Sequence, residues 1–133
     1  MSDDVMQVEL VAADRLVWSG EAVRVIARTS EGDIGILPNH APVLSLLVDG
    51  VVDVTTTENE TWIAAVNAGF LSVANNRISI LSEKAIMSHD IDLEKARADL
   101  ERAKVAGELP DEPEERADAA WAETRIRAAE RAS

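Results

Sequence analysis

The sequence predicts a mainly β protein with an α appendage: an N-terminal antiparallel β-sandwich or barrel followed by a C-terminal antiparallel two-helix hairpin. Up to about Asp90 the chain is rich in Val, Ile and Thr, in short alternating runs between turn residues, as in all-β domains. Beyond Asp90 apolar residues recur at helical spacing and alanine becomes frequent. We therefore divide the 133 residues into a sandwich domain, residues 1–90, and a helical hairpin, residues 91–133.

Nine segments of the first part have the composition of strands. Short alternating runs occur among them, and in residues 22–29 the alternation predicts one inward face and one largely exposed face. Turns are predicted at Gly50, Asn59, Gly69 and Asn75-Asn76, because Gly and Asn tolerate positive φ. The intervals are too short for crossover helices, so we expect antiparallel pairing throughout. The predicted strands are residues 6–11, 16–19, 22–29, 33–37, 43–48, 50–56, 61–66, 70–73 and 77–82.

The first helix of the hairpin is predicted from a change of period. Apolar residues recur at helical spacing from Leu93 to Ala103. Asp90 or Asp92 can cap the start of this helix, and Gly107 is expected to end it.

The second helix is predicted over residues 114–131, after a connector that contains two prolines and cannot continue a helix. Its acidic first turn and basic last turn agree with the helix dipole. The expected buried stripe comprises Ala117, Ala120, Trp121, Thr124 and Ala128.

The predicted hairpin is poor in large apolar side chains. Eleven of the residues from Asp92 to Ser133 are alanine. A buried CH₂ group contributes about 0.8 kcal/mol, so helices that meet through alanine dock less tightly than helices that meet through leucine. High helical propensity with weak docking suits an element that detaches and docks again. The alternative is an ordinary two-helix cap on the sandwich.

Charge and composition exclude several classes of function. With 13 basic and 25 acidic residues the formal net charge is −12, so phosphate backbones and anionic lipid headgroups would repel the chain. We expect no nucleic acid partner. Direct membrane insertion is not expected either, because no apolar run approaches the ~20 residues that span a bilayer. The acidic N-terminus lacks the order of a signal peptide, and the absence of cysteine removes disulfides and thiolate chemistry.

Catalytic and metal-binding motifs are missing from the sequence. It contains no Gly-rich phosphate loop and no Gly-x-Ser-x-Gly elbow. Neither His40 nor His89 has a second histidine at metal-ligand spacing. We therefore predict a protein that is not an enzyme and has no metal site and no resident cofactor.

One stretch is distinctive: residues 31–42 read Glu-Gly-Asp-Ile-Gly-Ile-Leu-Pro-Asn-His-Ala-Pro. The prolines of its second half predict a rigid, exposed loop between two strands, which is a good docking surface. This run resembles the most diagnostic segment of the epsilon subunits of bacterial F-type ATP synthases. The Trp-Ser-Gly triplet at residues 18–20 and the Gly-Phe-Leu triplet at 69–71 are similar to the same family. The division into sandwich and hairpin extends the resemblance over the whole chain.

The resemblance implies a non-catalytic subunit of the central stalk, the rotor that couples the catalytic head to the proton-translocating c ring. Its partners would be the gamma subunit and the c-subunit ring. The complex would place it peripherally on the cytoplasmic face of the bacterial plasma membrane. The implied c-ring contacts are Glu31, Gly32, Asp33 and Ile34. The implied gamma contacts are His40, Ala41, Pro42 and Val43.

The resemblance also implies a regulatory role for the hairpin. In bacterial members of that family the C-terminal helices can leave the sandwich, contact the alpha and beta subunits transiently and restrain ATP hydrolysis. The matching residues of such an inhibitory arm are Arg116, Arg125, Arg127 and Arg131. Neighbouring acidic residues nearly balance their charge in this chain.

Some relatives bind ATP as a regulatory ligand at the start of the hairpin. The matching residues are Ile91, Asp92, Lys95 and Ala96. Lys95 stands where the family pattern has arginine, so the planar group that makes two parallel contacts is missing. The match nevertheless provides the alternative function, an ATP-sensing module whose hairpin binds nucleotide. The same run also reads as a helix cap followed by an ordinary first turn.

Overall fold

The computed structural model describes residues 4–104 and 107–132. Within these ranges the chain forms nine strands, a 3₁₀ turn at Ser88–Asp90 and two α-helices. The predicted fold class, a β-sandwich followed by a helical hairpin, is confirmed. The strands are β1 (Met6–Ala12), β2 (Arg15–Thr29), β3 (Gly32–Ile36), β4 (Val43–Leu47), β5 (Gly50–Thr56), β6 (Thr61–Val66), β7 (Gly69–Ala74), β8 (Arg77–Ser82) and β9 (Ala85–Met87), and the helices are α1 (Leu93–Ala103) and α2 (Pro113–Ala132).

The strands pair in the order β1-β8-β7-β4-β2-β5-β6-β9, with β3 beside β2. Strand β2 also pairs with β1 along its first half, which closes the sheet into a barrel-like sandwich. The second half of β2 pairs with β3 and β5. Two separate strands were predicted here, at 16–19 and 22–29. The structure joins them, because Gly20 continues the strand and makes room for the indole of Trp18: a Cβ at Gly20 would lie 2.9 Å from that ring.

The prediction of antiparallel pairing throughout was wrong for one pair of strands. Strands β1 and β8 are parallel, from Gln7 opposite Arg77 to Val11 opposite Leu81. The prediction assumed that a parallel pair needs a crossover helix. Here the rest of the sandwich connects the two strands, so no helix is required. Strand β9, which pairs with β6 and leads into the hairpin, was not predicted; three residues are too few to show a period.

Asparagine and glycine serve different purposes at the predicted turns. Asn59, Asn75 and Asn76 have φ values of 63°, 52° and 60°, as the turns require. Gly50 and Gly69 instead begin strands β5 and β7. A Cβ at Gly50 would lie 2.8 Å from the Cβ of Arg28, and one at Gly69 would lie 1.8 Å from a backbone oxygen. Close packing, and not a positive φ, requires glycine at both positions.

Alternation along the strands builds one core inside the sandwich. Burying one Val, Leu or Ile side chain contributes about 1.5–3 kcal/mol, and most inward positions of the core are of these types, with alanine and methionine at the others. The largest fully buried side chains of the sandwich are Met6, Val8, Val25, Ile36, Val52, Val66, Leu71, Ile78 and Ile80.

The hairpin begins with a side-chain cap. The Asp92 carboxylate accepts the backbone N–H of Lys95 at 3.1 Å, so the predicted cap is correct. Helix α1 ends at Ala103 and not at Gly107, which lies in the connector with a φ of 78°. Helix α2 starts at Pro113, because proline fits the first helical position, where its missing N–H is not needed.

Helix α2 packs on α1 on one side and on the sandwich on another. Its buried residues are Ala119, Ala122, Thr124 and Ala128. The predicted stripe was therefore partly wrong: Ala117 is exposed, and Ala120 and Trp121 are half-buried. A helix with two packing partners buries a wider face than a single stripe.

The contact between α2 and the sandwich is a small second core. Ala128 is fully buried against Val51, Ile63 and Ala65 of strands β5 and β6, and Trp121 packs at the edge of this cluster. The buried positions of both helices are alanines apart from Thr124, as the composition predicted. Within the described part of the chain, neither helix combines the length and apolar character needed to cross a bilayer.

Candidate docking surfaces

The loop between β3 and β4, residues 37–42, is called the docking loop below. His40 donates its backbone N–H to the Leu37 carbonyl at 3.2 Å, which closes a turn. The His40 ring contacts the Ala41 carbonyl oxygen at 2.7 Å from Nδ1. His40 is half-buried, whereas Ala41 and Pro42 are exposed, and Val43 begins β4 with its side chain half-buried. Two of the four predicted gamma contacts, Ala41 and Pro42, are therefore exposed.

The predicted c-ring contacts lie in the turn between β2 and β3 and at the start of β3: Glu31 is in the turn, whereas Gly32, Asp33 and Ile34 are the first residues of the strand. Residues 30–34 are called the β2–β3 turn below. The Thr29 hydroxyl organises it: the oxygen accepts the backbone N–H of Glu31 at 3.1 Å and the hydroxyl donates to the Gly32 carbonyl at 2.8 Å. Gly32 has a φ of 113°, which only glycine adopts readily. Glu31, Gly32 and Asp33 are exposed, whereas Ile34 is half-buried and packs against the core. Three of the four predicted residues are thus accessible to a partner.

The two predicted surfaces lie at opposite ends of β4. Ser30, in the β2–β3 turn, donates its N–H to the Leu46 carbonyl near the end of β4, while the docking loop precedes Val43 at its start. A strand rises about 3.4 Å per residue, so this strand separates the two surfaces by roughly 14 Å.

A row of exposed apolar side chains crosses the outer face of the sheet and was not predicted. Cross-strand partners are Leu46 with Phe70, Phe70 with Leu81, Leu81 with Val11, and Val11 with Leu16. We call these five residues the apolar stripe. Leu46, Phe70, Leu81 and Leu16 are 49–56% exposed. Directly opposed side chains lie about 5 Å apart, so the row is continuous.

The apolar stripe extends toward the docking loop through Leu44, which is 74% exposed and stands two residues before Leu46 on the same face of β4. Contiguous exposed apolar surface rimmed by polar residues is typical of protein–protein contact sites. The available signal was strand β4 itself, which reads Val-Leu-Ser-Leu-Leu and so has leucine on both faces.

Electrostatic contacts hold the two helices of the hairpin together through Asp99. Its carboxylate accepts hydrogen bonds from Lys95 at 2.9 Å, Arg102 at 3.1 Å and Arg125 of the opposite helix at 3.0 Å. The hydrogen bonds from Lys95 and Arg125 lower the pKa of Asp99 from 3.8 to about 2. This group stabilises the hairpin above pH 3.8, and its contribution is lost as the pH falls through 2.

Most of the predicted arm arginines are engaged within the chain. Arg125 is only 15% exposed, bonded to Asp99 and stacked 5.8 Å from the Trp121 ring centroid. Arg116 donates from Nε to the carbonyl of Pro110, between the two helices, at 3.1 Å. Arg131 pairs with Asp53 of strand β5 at 2.6 Å. Arg127 is exposed, and no ion pair is recorded for it within residues 4–104 and 107–132.

The Asp53–Arg131 contact is the one ion pair between hairpin and sandwich among the residues that the structure describes. The Asp53 side chain is 12% exposed, and its Oδ1 has no hydrogen-bond partner. Burial raises the pKa of Asp53 above 3.8, against the opposing effect of Arg131 and then Arg24; Asp33 adds to the increase. Docking that depends on this carboxyl is thus fully favoured below pH 3.8 and weakens as the pH rises through the raised pKa.

We expect the two partners of this ion pair to affect docking in opposite directions. Asp53→Asn removes a buried charge, so it should increase the docked fraction and abolish its pH dependence. Arg131→Gln leaves that charge unpaired, so it should lower the docked fraction several-fold at pH 7. The chain has no cysteine, so spin labels at Thr61→Cys and Arg127→Cys report the distance between sandwich and hairpin. Equal distances for both variants at pH 7 and pH 4 would contradict the assignment.

The predicted ATP residues occupy the start of α1. Asp92 is the helix cap, Lys95 bonds Asp99, Ala96 is fully buried, and Ile91 packs beside the second core. A cleft of about 600 Å³ opens beside them between the helices. Its lining includes Lys95, Arg102, Trp121 and Arg125 together with Asp99, Glu115 and Asp118. In the described part of the chain no group of three metal-ligating side chains comes together.

Comparison with known proteins identifies the family. Residues 5–88 match the family model described as ATP synthase, Delta/Epsilon chain, beta-sandwich domain. The ATP synthase epsilon chain of Streptomyces avermitilis is 52% identical over 103 residues, which are 77% of this chain and 83% of that one. The epsilon chain of Streptomyces coelicolor is 48% identical over 124 residues, 93% of this chain and 94% of that one.

A solved structure has the same fold. A chain in the mitochondrial ATP synthase of Euglena gracilis, in a structure of OSCP, F1 and the c-ring, superposes with a TM-score of 0.73 at 23% identity. The match covers 98% of this chain and 80% of that chain. Since the curated relatives are accessory and not catalytic chains, the prediction that this chain is not an enzyme is confirmed. With a family match over the entire sandwich and relatives alike along the hairpin as well, the chain belongs to the ATP synthase delta/epsilon family.

Proposed function

We propose that this chain is a non-catalytic rotor subunit of the central stalk, which couples the catalytic head to the proton-translocating c ring. The observation that carries the proposal is the apolar stripe beside the docking loop. A row of half-exposed Leu and Phe side chains is costly in water and is stabilised when a partner covers it. In this family the partner that fits is the gamma subunit, bound through the stripe and through His40, Ala41, Pro42 and Val43.

The β2–β3 turn is the proposed contact with the c ring. It is polar and exposed, and its own hydrogen bonds and the Arg28–Asp33 pair at 3.1 Å fix its shape. Polar loops of the ring are suitable partners for Glu31, Gly32 and Asp33. Ile34 would support the turn from the core side. The proposed place is the cytoplasmic face of the plasma membrane, peripherally, as part of the complex, with no nucleic acid partner and no insertion of its own.

We assign restraint of ATP hydrolysis to the hairpin. In the docked state Asp99 and Asp53 hold Arg125 and Arg131, two of the four arginines that would contact the alpha and beta subunits. Docking and inhibition therefore compete for the same side chains. The alanine-rich contact surface keeps the cost of undocking low.

Site-specific cross-linking in the assembled complex tests the placement. A single photoreactive label can be attached at each chosen position, because the sequence contains no cysteine. A label at Leu44→Cys should capture the gamma subunit, and one at Asp33→Cys should capture a c subunit. The control position Thr61→Cys, exposed at the start of β6, should capture neither. Capture of the same partner from both ends of β4 would refute the arrangement.

A second candidate function, an ATP-sensing hairpin, is favoured by the cleft between the helices, which places an indole beside three basic side chains. The contacts oppose strong binding, because Asp99 already holds all three cations. We expect titration calorimetry with ATP to give no binding in the sub-millimolar range. The same titration can be made with Lys95→Arg, which restores the arginine of the family pattern, and with Arg97→Lys as the control substitution on the same helix. Sub-millimolar binding by the unaltered chain would favour the sensor instead.

A further inference from the structure

Two turns that lie far apart in the sequence are tied together by asparagine side chains. Asn39 is in the docking loop, and Asn76 is in the turn between β7 and β8. The Asn39 backbone N–H donates to Oδ1 of Asn76 at 2.5 Å. In return, Nδ2 of Asn76 donates to Oδ1 of Asn39 at 3.1 Å. We call this reciprocal contact the amide clamp.

The amide clamp is anchored to strand β1 and to the segment just before it. Nδ2 of Asn39 donates to the Asp4 carboxylate at 2.6 Å. The Asn76 carbonyl accepts the backbone N–H of Gln7 at 2.8 Å. Three separate segments of the chain therefore meet at this point, and the docking loop cannot shift without breaking contacts to two of them.

Both asparagines adopt a backbone conformation that few residues tolerate. Their φ values are 70° at Asn39 and 60° at Asn76. Asparagine and glycine are the residues that take this conformation most readily, but only asparagine supplies an amide that donates and accepts at once. Turn geometry alone therefore does not explain the residue type at both positions.

The neighbouring residue supplies a natural comparison. Asn75 has a φ of 52° in the same turn, yet no side-chain hydrogen bond is recorded for it within the described ranges. Replacing either turn asparagine by glycine preserves the backbone conformation, and only the change at Asn76 removes the clamp.

We infer that Asn76 is a positioning residue for partner binding: through the amide clamp it holds the docking loop in the shape that the gamma subunit recognises. The inference rests on the function proposed above. A loop that is already ordered loses less conformational entropy when a partner binds, so the clamp raises affinity without touching the partner.

Glycine substitutions in the full-length chain test the inference at two levels. Asn76→Gly should speed hydrogen exchange at the Asn39 amide at least about tenfold, and Asn75→Gly should leave that rate unchanged. In binding assays with purified gamma subunit, Asn76→Gly should weaken the dissociation constant about tenfold, which corresponds to ~1.4 kcal/mol. The thermal midpoints of the two variants should agree. Asn76→Asp keeps the acceptor for the Asn39 amide, so its exchange rate at Asn39 and its affinity for the gamma subunit should lie between those of Asn76→Gly and the unaltered chain.

The outcomes separate the clamp from the proposed function. Tight gamma binding by the unaltered chain and equally tight binding by Asn76→Gly would overturn the clamp alone. Unchanged exchange at Asn39 would do the same. No gamma binding by the unaltered chain would overturn both proposals. If Asn76→Gly does not fold, Asn39→Gly removes the amide from the other side of the clamp, and equal affinity for that variant would refute the inference.

Discussion

Phe70→Glu should weaken binding of the gamma subunit at least about thirtyfold, equivalent to the ~2 kcal/mol lost at an interface hot spot. Phe70 lies in the apolar stripe between Leu46 and Leu81, and half of its side-chain surface is exposed. A carboxylate there would have to be buried unpaired on binding, so the cost of desolvation adds to the lost apolar contact. Surface plasmon resonance with immobilised gamma subunit measures the change directly.

The control for Phe70 is Leu109→Glu. Leu109 is 47% exposed, close to the value for Phe70, but it lies in the connector of the hairpin. The hairpin packs on β5 and β6, away from the stripe. The control variant should bind like the unaltered chain, and both variants should keep the same thermal midpoint. Equal loss of affinity in both would mean that added negative charge, and not the stripe, decides binding.

Truncation after Asp90 should raise ATP hydrolysis by the assembled complex at least about fivefold, the lower end of ordinary coupling energies of ~1–3 kcal/mol. The sandwich should stay folded, because its core is separate from the small cluster around Ala128. Hydrolysis by complexes purified with the truncated and the full chain, together with the midpoint of thermal unfolding, provides the comparison.

A point substitution in the docked contact should have the opposite effect. Ala128→Glu places a carboxylate against Val51 and Ile63, so the hairpin should leave the sandwich while remaining attached to the chain. If the released arm is the inhibitor, hydrolysis should fall in this variant and rise on truncation. Ala117→Glu, on the exposed side of the same helix, is the matched control and should change neither. Identical hydrolysis in all four proteins would refute a regulatory role for the hairpin.

Local patterns were sufficient to predict most of the fold. Alternation along 77–82 marked strand β8 at its observed bounds, and a short apolar run at 61–66 did the same for β6. Asp92 was a correct helix cap. Features that depend on distant segments were missed. The parallel pairing of β1 with β8 is set by the whole chain between them. The continuity of β2 depends on the way the Trp18 indole uses the space at Gly20.

The same distinction between local and long-range features applies to the candidate surfaces. The docking loop and the β2–β3 turn could be located because each is one contiguous run with proline or glycine at its bends. The apolar stripe takes its residues from five strands, and only β4, with leucine on both faces, carries a sign of it in its own sequence. Only the register of the sheet places them side by side. The partners of Arg125 and Arg131 are also set by tertiary packing and carry no signal in the sequence.

The continuity of strand β2 has a mechanical consequence. Its fifteen residues hydrogen-bond to β1, β3, β4 and β5, and its last residue adjoins the turn proposed to meet the ring. A torque applied at that turn would have to break main-chain hydrogen bonds between β2 and all four neighbouring strands before one end of the sandwich could rotate relative to the other. Because one continuous strand runs through the sandwich, we expect the sandwich to resist twisting as a rigid body.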